Sequence, residues 1–343
     1  MKNSSMYNEI MDQYELVKKI CTKRWDEARE INLILKKADN IILMGTGASL
    51  NACHGAAEAI TKYIKKMPHV LEMAQAEDIL LTLTDKTVCF LVSQSGSSKE
   101  TIDVARKVGD SPALTIAVTN NEDSYLAQNS DRVLLLNSGK EISSATKTQT
   151  AQALVMCMAA AAGDEDAKNE LMKLPELIGK ALKDLPEIAE EIAAKLKDER
   201  AFYIGALGRM YPTARQAALL IKEKDFILTE GLSISELRHG TVEAVYEGMP
   251  IFLIAANEYV VEAQKHAEYF DGVVGAKVFL VVDDTADTQS SRYEIIKIEN
   301  LRVNAFCNFC PTIFFQLLAE KIARLNGYDI DGFRYLSKVV DKY

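Results

Sequence analysis

The chain has 343 residues, of which 48% are hydrophobic and 26% charged, with a formal net charge of −9. That length can bury more than one core, so two domains are expected; the acidic balance excludes a nucleic-acid surface, which needs clustered Lys and Arg. No apolar run reaches the roughly 18 residues of a membrane span, Met1-Lys2-Asn3-Ser4-Ser5 is no signal-peptide core, and six scattered cysteines (Cys21, Cys53, Cys89, Cys157, Cys307, Cys310) predict a reducing cytoplasm.

Taken in chain order, apolar residues at Ile10, Leu16, Ile20, Trp25, Ala28, Ile31 and Leu35 predict a helical arm over 6–38. A strand over 40–44 opens into Gly45-Thr46-Gly47-Ala48-Ser49-Leu50-Asn51, and a helix follows through Lys65. The G-x-G after a strand invites a dinucleotide reading, but Leu50 stands where the third small residue of that fingerprint belongs. Ser49 at a helix N-terminus suits a compact phosphate equally well. A short strand over 69–73 and a helix over 76–80 come next.

Val88–Val92 is too short and too β-branched for a helix and reads as a buried parallel strand. It runs into Ser93-Gln94-Ser95-Gly96-Ser97-Ser98, and a helix starts at Lys99-Glu100. Such a turn aims free backbone N–H groups and the positive end of a helix dipole at one place. Ser93, Gln94, Ser95 and Ser98 add side-chain donors suited to a phosphate monoester. A plain capped turn would explain one or two of these residues, not four within six positions.

Strands over 113–119 and 132–136 follow, then the hydroxyl-rich Gly139–Gln149 and an apolar helix over 150–162. Alternating strands and helices predict a parallel sheet covered on both faces, with ligands at the carboxyl ends of the strands. Charged residues over 163–199 predict connecting helices. The pattern then restarts, with strands over 201–205, 249–255, 276–282 and 293–298 and a helix over 211–223. Cys307-Asn308-Phe309-Cys310 lacks the second ligand pair that zinc requires, so no metal is expected.

The remaining chemistry lies over 222–240. Glu223 ends an amphipathic helix and His239 precedes Gly240; a carboxylate and an imidazole can move protons at neutral pH. A solvated helix end and an ordinary loop histidine are the plainer explanations of each alone.

Together, the turn ending at Ser49, the Ser93–Gly96 loop, Glu141-Ile142 with Ala145-Thr146-Lys147, Lys222-Glu223, Glu236–Gly240 and Arg334–Lys338 resemble the double SIS-domain (sugar isomerase) family. The similarity is greatest to the isomerase half of glutamine–fructose-6-phosphate aminotransferases and runs from about residue 40 to the end. The resemblance implies an α/β fold of two tandem SIS domains, each a flavodoxin-like parallel-sheet sandwich. The expected divisions are a helical arm (1–38), a first SIS domain (39–165), a connector (166–199), a second SIS domain (200–326) and a C-terminal tail (327–343).

It further implies that Ser49, Ser93, Gln94, Ser95 and Ser98 hold a sugar phosphate, with Gly47, Ser144, Thr146, Glu230 and Glu236 in contact or supporting roles. Glu223 would shuttle a proton between C1 and C2. His239 would open the ring in a homodimer with a shared active site, and Lys338 would assist ring opening or form a Schiff base. No cofactor is implied. The chain begins without the family's glutamine-hydrolysing domain, so the expected chemistry is that of a glucosamine-6-phosphate deaminase, with a fructoselysine- or glucoselysine-6-phosphate deglycase as the alternative. A silent phosphosugar sensor and an NAD oxidoreductase are the readings from other classes. The loop over 141–147 is one residue shorter than the family's usual form.

Overall fold

The computed structural model describes residues 3–300 and 304–335. It resolves into two compact units: a first unit made of Asp12–Pro175 and the chain from Phe333 on, and a second made of the chain up to Met11 and Glu176–Gly332.

The arm is three helices, not one: α1 (Ser5–Met11), α2 (Gln13–Lys23) and α3 (Trp25–Lys37). Its apolar residues serve two different cores. The α1 helix packs on a helix of the second unit, whereas α2 and α3 cover the first. At the second break Arg24 leaves the helical well (φ −116, ψ 15) and its Nε donates to Glu27 Oε2 at 2.7 Å.

In the first unit the strands are β1 (Asn40–Gly45), β2 (His69–Glu72), β3 (Thr87–Val92), β4 (Leu114–Thr119) and β5 (Arg132–Leu135). They pair in parallel in the order β2-β1-β3-β4-β5. Every residue of β3 is buried, as a central strand covered on both faces requires. The connections carry α4 (Ala48–Ala59), α5 (Glu77–Leu80), α6 (Lys99–Gly109) and α7 (Tyr125–Gln128), followed by α8 (Lys147–Ala161) and α9 (Glu165–Leu171). All of α8 is buried, wrapped by α2, α3 and α4. Its first two turns nonetheless read Lys-Thr-Gln-Thr-Ala-Gln, so buried polar groups are delivered to one end of the sheet.

The helix α10 (Leu174–Leu196) carries the chain into the second unit, where the strands are β6 (Ala201–Leu207), β7 (Leu228–Ser233), β8 (Pro250–Ala255), β9 (Lys277–Asp283) and β10 (Glu294–Ile298). Their order, β10-β9-β8-β6-β7, is that of the first sheet with the same connectivity. The helices are α11 (Tyr211–Asp225), α12 (Ile234–Arg238), α13 (Val260–Tyr269) and α14 (Phe309–Leu325). The β7 strand falls inside the stretch whose sequence shows only candidate catalytic residues. It is an edge strand, Leu-Thr-Glu-Gly-Leu-Ser, paired on one side to β6 and carrying too few apolar residues to declare itself. Cys307 and Cys310 are buried free thiols at the start of α14, and burial pushes the Cys310 thiol up to about 12.

Phe252 of β8 is fully buried, stacked on Phe279 at 4.8 Å and edge-on to Phe315 of α14 at 5.3 Å. Truncating a ring so enclosed removes its transfer energy and leaves a cavity, at a cost of about 3–5 kcal/mol. Phe252→Ala is therefore expected to lower the urea midpoint of the second unit's unfolding; an unchanged midpoint would show that this ring is not central to the core.

Candidate active site

In the first sheet β1 and β3 are neighbours, with Gly45 opposite Val92. The chain leaves β1 toward β2 and leaves β3 toward β4, on opposite sides, so the two loops flank a crevice at the carboxyl ends of the strands. Ser49 lies in the first turn of α4, and Ser93, Gln94, Ser95 and Ser98 lie between β3 and α6.

Local sequence makes both turns. A Cβ on Gly45 would stand 2.8 Å from the Leu50 nitrogen, so α4 can start this close to the strand only over glycine. Gly47 takes φ 57 and ψ −123, a backbone that side chains resist. Leu50 is buried, filling the position that a dinucleotide would need open.

In the β3 loop two hydroxyl oxygens are occupied as acceptors. Ser93 Oγ accepts from the Gly96 N–H at 3.2 Å, and Ser95 Oγ accepts from the Ser97 N–H at 3.3 Å. A hydroxyl held by its lone pair keeps its proton to give away, so both serines are set to donate to an anion. Ser98 is the N-cap of α6, but its hydroxyl bonds Thr101 Oγ1 at 2.7 Å and caps no backbone N–H. The N–H groups of the first turn of α6 therefore add a partial positive charge at the loop.

The third loop is organised by Glu141, whose side chain is buried. Its Oε1 accepts from the Thr146 N–H at 2.9 Å and the Thr148 N–H at 3.2 Å, and Thr148 Oγ1 donates to Oε2. One carboxylate thus closes the 141–148 loop onto the start of α8. Within it Ser144 Oγ is buried and makes no hydrogen bond, which makes it a spare donor or acceptor. Lys147 is buried against Asp12 at 3.0 Å.

Gln152, one turn further along α8, donates to Ser49 Oγ at 3.0 Å. This bond ties the third loop's helix to the first loop. Gln152 is not among the residues the sequence singles out; it closes the polar stretch Lys147–Gln152 that opens an otherwise apolar helix. The structure thus brings Gly47, Ser49, Ser93, Gln94, Ser95, Ser98, Ser144 and Thr146 to one end of one sheet.

At the equivalent place in the second unit, Met210, Ala256, Asn257 and Asp283 line a cavity at the carboxyl ends of the strands. Gly208 follows β6 at φ +60, and a Cβ there would lie 2.3 Å from the Tyr259 ring, which covers the turn. The Arg209 and Glu258 side chains meet beside it at 3.8 Å.

Glu223, Glu230, Glu236 and His239 belong to the second unit, on successive elements of its β7 edge. Glu223 is half-buried in the last turn of α11, which packs on β7. Glu230 is exposed on β7, opposite Tyr203 of β6. Glu236 is exposed in α12, whose N-cap Ser233 accepts from the Glu236 N–H at 3.2 Å. His239 is exposed at the C-cap of α12, its N–H bonded to the Ser235 carbonyl at 3.0 Å. Lys338 lies outside the described residues. Two ionisable residues beside Glu223 are buried: Lys224, and Asp225, whose carboxyl burial pushes well above the usual range against the pull of the Lys224 ammonium.

Among the described residues no group of three or more His, Cys, Asp or Glu could hold a metal ion, and no helix is long and apolar enough to cross a membrane.

The chain matches the SIS domain family model twice, over residues 34–162 and 195–319. It is 30% identical over 98% of its length to a glutamine–fructose-6-phosphate aminotransferase (isomerizing) of Thermococcus kodakarensis, and it spans 57% of that relative's length. Among solved structures it resembles the C-terminal domain of glucosamine-fructose-6-phosphate aminotransferase from Francisella tularensis, with a TM-score of 0.86 at 24% identity, covering 96% of this chain and 98% of that one. It also resembles a glucosamine-6-phosphate deaminase from Thermotoga maritima, with a TM-score of 0.75 at 21% identity, covering 99% and 100%. Structural likeness at these identities speaks for the fold.

A carboxyl whose folded pKa is raised holds its proton in the native state after the unfolded chain has lost it. Stability therefore falls as pH rises from the ordinary aspartate range toward the raised folded value. Asp225→Asn is expected to gain stability over the native protein as pH goes from 5 to 8, measured by denaturant midpoints. A variant that loses ground over that range would mean the carboxylate is ionised and well paired.

Proposed function

This chain belongs to the SIS domain family, and we propose that it is an enzyme that isomerises and deaminates a phosphorylated amino sugar, as a glucosamine-6-phosphate deaminase does. The observation that carries the reading is the pair Ser93 and Ser95 beside the N-terminus of α6, whose hydroxyl oxygens accept from the Gly96 and Ser97 N–H groups and whose O–H donors are not spent on those bonds. That geometry fits the dianion of a phosphate monoester. Glu223 and His239 add a carboxylate and an imidazole in the same chain.

The proposed chemistry needs water and no other co-reactant. His239 moves a proton from O1 to O5 as the pyranose opens to the aldehyde. Glu223 takes the proton from C2 while O1 is protonated, giving an enolamine, and returns a proton to C1. The C2 iminium then adds water and expels ammonia, leaving fructose 6-phosphate. Lys338 would assist ring opening or hold the keto sugar as a Schiff base; a desolvated lysine is nucleophilic at neutral pH. Because His239 is exposed, the working assembly in this reading is a homodimer in which it serves the neighbouring copy's site.

Ammonia release from glucosamine 6-phosphate tests the reading. The native protein is expected to release ammonia, and Glu223→Gln to lower kcat by about 10²–10⁴, the usual worth of a positioned base. Free lysine from fructoselysine 6-phosphate, with no ammonia from the amino sugar, would move the assignment to a deglycase. Silence on both with sugar-phosphate binding intact would make the protein a sensor.

A further inference from the structure

Ser49 and Gln152 meet across two helices of the first unit, and the bond between them runs in one sense only. Gln152 Nε2 donates to Ser49 Oγ at 3.0 Å. An amide nitrogen has protons to give and no lone pair to offer, so the Ser49 oxygen is the acceptor. Among the described residues this is the only hydrogen bond that oxygen makes, and its own proton is left over. Hydroxyls on other helices of this chain spend theirs locally. Thr22 Oγ1 donates to the Lys18 carbonyl at 2.7 Å, and Thr312 Oγ1 to the Asn308 carbonyl at 2.6 Å. The Gln152 end of the pair is buried, and the α8 helix ahead of it is pinned at each step. Glu141 accepts from the Thr146 and Thr148 N–H groups, Lys147 Nζ reaches Asp12 at 3.0 Å, and Thr150 Oγ1 donates to the buried Gln13 at 2.6 Å. An enclosed side chain on a fixed helix has little rotamer freedom left to lose. The Ser49 end is half-buried, in the first turn of α4 beside the crevice.

We propose that Gln152 is a positioning residue: by filling the acceptor side of Ser49 it sets that hydroxyl as a donor to the phosphate of the bound sugar. The proposal rests on the reading of the crevice as a sugar-phosphate site. It gives Ser49 the same polarity as Ser93 and Ser95, whose oxygens accept from the Gly96 and Ser97 N–H groups. There the backbone sets the polarity; here a side chain does, so a substitution can remove it. Without the Gln152 amide, the Ser49 hydroxyl is free to turn and donate back into its own helix, as Thr22 and Thr312 do.

The test measures binding of fructose 6-phosphate to the full chain by titration calorimetry, with inorganic phosphate as a second probe. Gln152→Met removes the amide at nearly constant volume. Gln152→Asn keeps an amide but draws it back by one methylene; being smaller and still polar, it is expected to fold even if the methionine variant does not. Each should raise Kd for both probes about tenfold, the worth of one hydrogen bond to a charged group, and Ser49→Ala should do the same. Because Gln152 acts through Ser49, either Gln152 variant combined with Ser49→Ala should bind no more weakly than Ser49→Ala alone. A combined loss near the product of the two, about a hundredfold, overturns the role, since helix repacking independent of Ser49 gives that result. Native-like binding by a folded Gln152 variant, or by Ser49→Ala, overturns it too. A loss confined to fructose 6-phosphate overturns the phosphate as the acceptor. If the native protein binds neither probe, the sugar-phosphate reading itself fails and the proposal falls with it; unchanged binding by the variants of a protein that binds both overturns the positioning role alone.

Discussion

A parallel sheet whose second strand lies outside its first has one place where neighbouring strands send their connections to opposite faces. The structure of this chain depends on that constraint, and uses it twice. What occupies the crevice is decided by a few residues in the two flanking turns. In the first unit these are Gly45 and Gly47, which let α4 begin against the strand, and the serines that follow β3. In the second unit the Tyr259 ring lies over Gly208 in the turn after β6.

The two units carry different side chains on one topology. The first concentrates neutral donors and helix N-termini, which suit a phosphate and do not titrate near neutral pH. The second carries the groups that can take up and release protons, along the edge strand that lacks a neighbour on its outer side. Buried polar groups support each. Glu141 closes one loop with two backbone N–H groups and two hydroxyls, Gln152 donates to Ser49, and Lys224 holds the carbonyl of Gly332. Each is a buried polar group matched with partners, which is the condition on which such groups are tolerated in a core.

Much of this was legible in the sequence. The apolar run ending at Val92 and the hydroxyls after it predict a buried strand and its loop, because a parallel strand and a hydrophilic turn contrast sharply in composition. The repeat of one topology was readable for the same reason in β6, β8 and β9. Edge strand β7 was not, since one exposed face lets it carry Glu230 and Gly231 in place of a continuous apolar run. The helical arm reads as one element because periodicity does not record that α1 serves one core and α2 and α3 another. Lys224 reads as one more charge at a helix end, and only the turn over 329–332 shows why it is buried. Gln152 reads as one more polar residue in the run Lys147–Gln152, and such a run gives no sign of which of its members meets Ser49.

The central claim is that a sugar phosphate held by the serine loop has its C1–C2 proton moved by Glu223. It is tested most directly by solvent exchange: fructose 6-phosphate and ammonium are incubated with the protein in heavy water, and the C1 protons are followed by proton NMR. The account predicts that the native protein introduces deuterium at C1, that Glu223→Gln does not, and that replacing both Ser93 and Ser95 by alanine slows exchange by raising the sugar phosphate needed for half-maximal rate. Exchange that persists unchanged in Glu223→Gln, or its absence from the native protein while fructose 6-phosphate is bound, would contradict it.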